Sequence, residues 1–164
     1  AMNNAMPLCI HDAVIAGDGI RVRELLENDP SLIEARDDDG FTPLLLAAEF
    51  GCLAITRLLI HLGADVDARD LYGDTPLLLA VRSGNKRMVR FLVAHGADVN
   101  AGNDLGWTAL HEAADDDYRG MAQLLIDLGA DAIARDRRGR TPLDLAGLDQ
   151  HSSVARLLRR HEGA

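Results

Sequence analysis

The sequence predicts an all-α solenoid of stacked units, about five in all, each a β-turn leading into two antiparallel helices. Three observations predict it. Gly40, Gly73, Gly106 and Gly139 recur at a spacing of 33 residues, and so do Thr42, Thr75, Thr108 and Thr141, and Leu59, Leu92, Leu125 and Leu158. Thr42-Pro43, Thr75-Pro76 and Thr141-Pro142 open helices, because Thr satisfies free N–H groups and Pro suits the first turn. Apolar residues then follow at helical spacing, as in Leu44, Ala47 and Ala48. One such pair cannot bury its apolar face alone, so neighbours must stack.

Taken in order, residues 1–7 are expected to be disordered or a tag remnant, with Ala1 preceding the first Met. Residues 8–36 form a degenerate first unit with one extra residue near Asp18-Gly19 and charge on its outer side, as a solvent-facing cap requires. Full units follow at 37–69, 70–102 and 103–135, and a terminal unit at 136–162 alternates core leucines with arginines as a second cap. The helix pairs are expected at 43–50 and 53–62, 76–83 and 86–95, 109–116 and 119–128, and 142–148 and 152–161. Ile55, Leu58 and Leu59, and likewise Met88, Phe91 and Leu92, mark the buried face of the second helices. Gly51 and Gly84 stop first helices in a left-handed conformation, and Gly63 and Gly96 end second helices. Asp117 and Gln150 occupy the position of Gly51, where a left-handed residue costs about 1 kcal/mol relative to Gly. Gly120 lies within a predicted helix, at a similar cost. Unit 103–135 is therefore expected to be locally weakest.

The recurring segments are Gly40-Phe41-Thr42-Pro43-Leu44, Gly73-Asp74-Thr75-Pro76-Leu77, Gly106-Trp107-Thr108-Ala109-Leu110-His111 and Gly139-Arg140-Thr141-Pro142-Leu143. Gly63-Ala64-Asp65-Val66, Gly96-Ala97-Asp98-Val99 and Gly129-Ala130-Asp131 close the units. This pattern resembles the ankyrin repeat over about residues 8 to 162. The resemblance implies a module that binds other proteins through its concave face, using the turn tips and the exposed side of each first helix. Those positions are Asp38, Asp39, Phe41, Glu49 and Phe50; Leu71, Tyr72, Asp74, Arg82 and Ser83; Asp104, Leu105, Trp107, Asp115 and Asp116; and Arg137, Arg138, Arg140 and Asp149. Four of the six aromatics, Phe41, Phe50, Tyr72 and Trp107, fall among them, the pattern of an interaction site rimmed by charge. In the family the histidine after Thr-Pro-Leu bonds neighbouring turns. Here it is kept at His111, with Leu45, Leu78 and Asp144 in the other units.

Composition narrows the function. A net charge of −9 argues against nucleic acid or an anionic membrane as partner. No run approaches the ~20 apolar residues of a spanning helix. Two cysteines, Cys9 and Cys52, in different units read as reduced packing residues, which fits a cytoplasmic protein. A monomer without cofactors is expected. The charge also grades along the chain: residues 1–134 carry 10 basic and 22 acidic side chains, residues 135–164 seven and four.

One alternative involves chemistry. His111 and Asp115 lie four apart on one helix, and with Asp116 and Asp117 they outline a metal-dependent regulator or small enzyme. The competing reading is a structural histidine beside a solvated acidic rim, and no nucleophile–base pair or phosphate-cradling loop accompanies the cluster. Leu92…Asp98-Val99-Asn100 also resembles the ankyrin sequence that eukaryotic asparaginyl hydroxylases modify. The residues themselves read as Asn100 tying a turn by hydrogen bonds.

Overall fold

The computed structural model describes residues 9–147 and 152–161. The disorder expected of residues 1–7, and the parts expected of Asp149 and Gln150, lie outside the described residues. Within them every regular element is helical: α1 (Ile10–Ile15), α2 (Gly19–Asn28), a short 3₁₀ helix (Pro30–Glu34), α3 (Pro43–Glu49), α4 (Leu53–His61), α5 (Pro76–Arg82), α6 (Lys86–Ala94), α7 (Ala109–Asp115), α8 (Arg119–Asp127), α9 (Pro142–Ala146) and α10 (Ser153–His161). First helices α1, α3, α5, α7 and α9 each precede a second helix, and successive first helices pack on one another to form the solenoid.

The local chemistry is as expected. Thr42, Thr75 and Thr141 side chains accept from the third helical N–H, and Pro follows each. Most helices end one residue before the expected boundary, because Phe50, Ser83 and Asp116 already cap the C-terminus and the next residue turns left-handed. The extra residue near Asp18-Gly19 is absorbed by α2, which has ten residues where α4, α6 and α8 have nine.

Three packing expectations are corrected. The buried stripe of the second helices is Ile55, Thr56 and Leu59, then Met88, Val89 and Leu92. Leu58 and Phe91 sit at its edge, half-buried, facing the outer surface. The Phe91 ring lies under the Arg57 guanidinium, 5.1 Å from its centroid, and beside the His95 ring. Gly120 is the second residue of α8, in the first turn rather than the helix interior. Cys9 is an exposed cap whose sulfur accepts from the Asp12 N–H, and Cys52 is half-buried before α4; both are free. Leu92 is fully buried in the largest core cluster, which runs from Ala48 to Leu158.

Asp117 is the one non-glycine residue with positive φ among those described, at 50°. Its strain has a return. The carboxylate accepts from the Ser152 hydroxyl at 2.9 Å and from the Val154 N–H at 2.9 Å, capping the start of α10. These bonds, the Val154 N–H foremost, hold the Asp117 carboxyl below its usual range. The weakness expected of unit 103–135 is thus partly offset by a tie to the next unit.

Candidate partner-binding surface

The turn tips are built from one rule. Asp37, Asp70, Asn103 and Asp136 each accept, on one side-chain oxygen, the N–H groups two and four residues ahead. That pair of bonds closes the turn and turns outward the side chains of its two central residues. Gly40, Gly73, Gly106 and Gly139 finish the turns with φ between 75° and 79°. At Gly73 a Cβ would lie 2.8 Å from the Asp104 backbone nitrogen, so the close stacking of tips demands glycine. Adjacent tips then bond directly: Leu71 N–H to Asp39 O, Asp104 N–H to Tyr72 O at 3.0 Å, and Arg137 N–H to Leu105 O at 2.9 Å.

This geometry divides the expected site residues into two groups. Asp38, Asp39, Leu71, Tyr72, Asp104, Leu105, Arg137 and Arg138 are exposed at the tips. Glu49, Phe50, Ser83, Asp115 and Asp116 are exposed at the ends of first helices. The residue preceding each Thr points inward instead. Phe41 is half-buried between two core clusters. Trp107 is half-buried against the main core, stacked near His111, with the Arg140 guanidinium 5.7 Å from its ring centroid. The expected aromatic row is therefore fully exposed only at Tyr72 and Phe50, whereas Phe41 and Trp107 are half-buried, Trp107 at the wall of a surface cleft shared with Leu105, Arg137 and Arg138.

Asp74 is also corrected. It is buried, accepts from Asn103 Nδ2 at 2.8 Å, and pairs with Arg82 at 2.9 Å. Arg82 reaches on to Glu112 at 2.7 Å, bridging α5 and α7 while its outer side stays exposed. Burial disfavours the Arg82 charge, but the bonds it donates to Glu112 and Asp74 outweigh that and hold it above its ordinary range. Arg140 is occupied similarly, through Nε and Nη2 on Asp136 at 2.8 Å. Burial raises the Asp136 pKa, yet the Arg140 and Arg138 N–H groups and the Arg140 side chain bring it down to about 2.

Three residues with structural roles were not among those expected. Glu112 occupies the position of Leu46, Leu79 and Leu145, and a carboxylate in a leucine column is its signal. Asn103 stands where neighbouring units carry Asp, leaving an amide N–H₂ free for Asp74. His11 corrects the expectation that His111 alone keeps the histidine. Its Nε2 lies 3.0 Å from Phe41 O, as His111 Nε2 lies 3.0 Å from Arg140 O. Counting six residues back from Gly17 and from Asp117 finds both.

The metal alternative loses two of its four ligands. His111 Nδ1 accepts from the Thr108 N–H and Nε2 donates to Arg140 O, so both ring nitrogens are engaged, while Asp117 caps α10. Among the described residues no group of three His, Cys, Asp or Glu side chains could hold a metal ion. Among them, too, no helix is long and apolar enough to cross a membrane. Asn100 does tie its turn: its Oδ1 accepts from Asp131 N–H at 2.8 Å, as Asp67 accepts from Asp98 N–H.

A family model for ankyrin repeats in three copies matches residues 68–136 and 103–164, and a model for the single ankyrin repeat matches residues 39–71. The chain belongs to the ankyrin-repeat family. Ankyrin repeats are generally protein–protein interaction modules and typically not catalytic. The ankyrin segment is 47% identical over 49 residues to the serine/threonine-protein kinase VIK of Arabidopsis thaliana, covering 30% of this chain and 11% of that protein. It is 51% identical over 47 residues to delta-latroinsectotoxin-Lt1a of Latrodectus tredecimguttatus, covering 29% and 4%. It is 36% identical over 58 residues to the DNA-binding protein RFXANK of Homo sapiens, covering 35% and 22%. The matches thus span less than a quarter of each relative's length.

Proposed function

We propose that this chain is a non-catalytic module that binds a partner protein through its concave turn-and-first-helix face, acting as a monomeric single domain (residues 8–162) in the reducing cytoplasm. One observation carries the reading. Leu71, Tyr72 and Leu105 stand side by side on bonded tips at 66%, 69% and 60% exposure, with Asp38 and Asp39 on the tip at one flank, Arg137 and Arg138 on the tip at the other, and Asp104 beside Leu105 between them. Large apolar side chains ringed by charge are where binding energy concentrates. The rigid tips reduce the ordering cost of association. Tyr72 and Leu105 take the central place, with Trp107 beside Leu105 in the adjoining cleft. Arg137 and Arg138 meet an acidic part of the partner, and the aspartates a basic part.

The test places a benzoylphenylalanine crosslinker at position 72, or at the exposed position 159 of α10, in the native host. A discrete crosslinked partner is expected from position 72 and not from 159. With that partner in hand, Tyr72→Ala should weaken binding by roughly 2 kcal/mol or more, mainly through faster dissociation. Arg138→Ala should mainly slow association and lessen its salt dependence. Equal affinity for Tyr72→Ala and the parent, at unchanged circular dichroism, would dismiss the tip face as the site.

A further inference from the structure

Charge is segregated across the solenoid as well as along it. The five second helices carry ten of the 17 basic residues and three of the 26 carboxylates, a net of +7, which leaves −16 on the remainder of the chain. On this outer layer a groove crosses α2, α4 and α6, lined by Arg23, Arg57, Leu58, His61, Phe91 and His95. The Arg57 guanidinium lies over the Phe91 ring, which itself is braced by the His95 ring at 4.0 Å. A stacked guanidinium keeps its N–H edge free and oriented for a carboxylate. Among the described residues no carboxylate lies within ion-pair distance of Arg23 or Arg57. Glu24 on the same helix as Arg23 is paired with Arg21, Glu27 one turn further on lines the neighbouring cleft without an ion pair to Arg23, and α4 carries no acid.

Arg23 also lines a second, smaller cleft of about 190 Å³ whose walls include Leu26, Pro30, Ile33 and Leu62, with Glu27 on its rim. Leu62 is 44% exposed there. Arg23 therefore stands between an apolar socket and a cationic, aromatic-floored groove. From this juxtaposition we propose that the outer face of α2, α4 and α6 binds a short acidic segment of a partner protein, one apolar side chain entering the Leu26–Leu62 cleft and flanking carboxylates pairing with Arg23 and Arg57. This surface is separate from the tip face and does not depend on it.

A short peptide fits better than a nucleic acid. The socket suits a side chain rather than a phosphate backbone. A polyanion long enough to cross the groove would meet the exposed Asp65 and Asp98 in the loops beyond the second helices. The excess of carboxylates elsewhere adds a long-range repulsion that grows with ligand charge, whereas two or three carboxylates confined to the groove feel mostly the local arginines.

The test uses the full chain and a synthetic peptide, acetyl-Ser-Glu-Leu-Glu-Glu-Ser-amide, with its all-Gln counterpart and an oligothymidine as comparisons. Amide chemical shifts locate binding. Shifts confined to α2, α4, α6 and the 3₁₀ helix are expected with the Glu peptide, far weaker ones with the Gln peptide. Arg23→Glu with Arg57→Glu should lower affinity about tenfold or more, and Tyr72→Ala should leave it unchanged. If the double reversal does not fold, Arg23→Gln with Arg57→Gln, at two exposed positions, replaces it and should still lower affinity severalfold. The proposal is overturned by shifts at the tips instead, by no shifts, by equal binding of the Gln peptide, by indifference to the arginine changes, or by tighter binding of oligothymidine in the groove.

Discussion

The junctions between neighbouring units are held by different chemistry in the middle of the chain and near its ends. In the middle, Arg36 Nη1 donates to Gly40 O and Arg69 O, and Arg69 repeats the clamp on Gly73 O and Gly102 O. The first helices there carry Leu45 and Leu78, both fully buried. One unit later the arginine position is Gly102, where a Cβ would press on the Gly106 carbonyl carbon at 3.1 Å, and the clamp cannot continue. At that junction His111 takes over, bonding Arg140 O, and His11 does the same for Phe41 O at the start. Each junction needs a directional bond to fix the angle between stacked units, and guanidinium or imidazole can supply it. The polar tie adds to apolar stacking and does not replace it.

Leu92→Ala removes a fully buried side chain from the continuous core and should cost roughly 2–5 kcal/mol, read as a shifted urea midpoint at unchanged slope. A midpoint close to the parent's would mean that the stack does not share one core. His111→Leu installs the residue that its neighbours use, and should cost roughly 1–2 kcal/mol. The loss is bounded because Arg140 O keeps the Asp136 N–H at 2.9 Å. A neutral result would show that leucine serves this junction as well as it serves the others.

The fold was legible because its signals repeat. Four copies of Gly, Thr and Leu in register leave little room for another architecture, and helix C-termini erred where the capping residue is itself nearly helical. The site was legible only in part. The tip residues were found at their positions, but period alone does not say which member of a tip points in. Trp107 and Asp74 occupy one repeat position, and both were drawn inward, one by apolar contact and one by Arg82 and Asn103. Phe91 erred the other way, since a stripe at spacing of three and four overlaps one at spacing of one and four. Charge was read lengthwise, whereas the larger asymmetry runs between helix layers, which appears only once second helices are grouped.

A smaller effect separates two turns that look alike. Asp136 and Asn103 make the same two backbone bonds, but only Asp136 adds an ion pair, to Arg140. Its pKa of about 2 lies below the unfolded value of about 4. The folded state therefore binds fewer protons, and the Asp136 contribution is complete above about pH 4 and fades as pH falls toward 2. Asp136→Asn should keep the turn, as Asn103 does, and show a flatter loss of stability between those pH values. An unchanged acid limb in denaturation would place that titration elsewhere.

The smallest effect is expected on the outer layer. Arg159 is exposed in the last turn of α10, among Arg156, Arg160 and His161. Two terms oppose one another there. A cation near a helix C-terminus is favourable by roughly 0.3–1 kcal/mol, while its like-charged neighbours repel it by a few tenths of a kcal/mol. Alanine and arginine differ little in helix propensity. Arg159→Ala should therefore change stability by no more than about 0.5 kcal/mol, and added salt should reduce whatever difference remains, because both terms are screened. A loss comparable to that of Leu92→Ala would mean that the arginine face packs against something in the folded chain, and α10 would then not be turned outward as described.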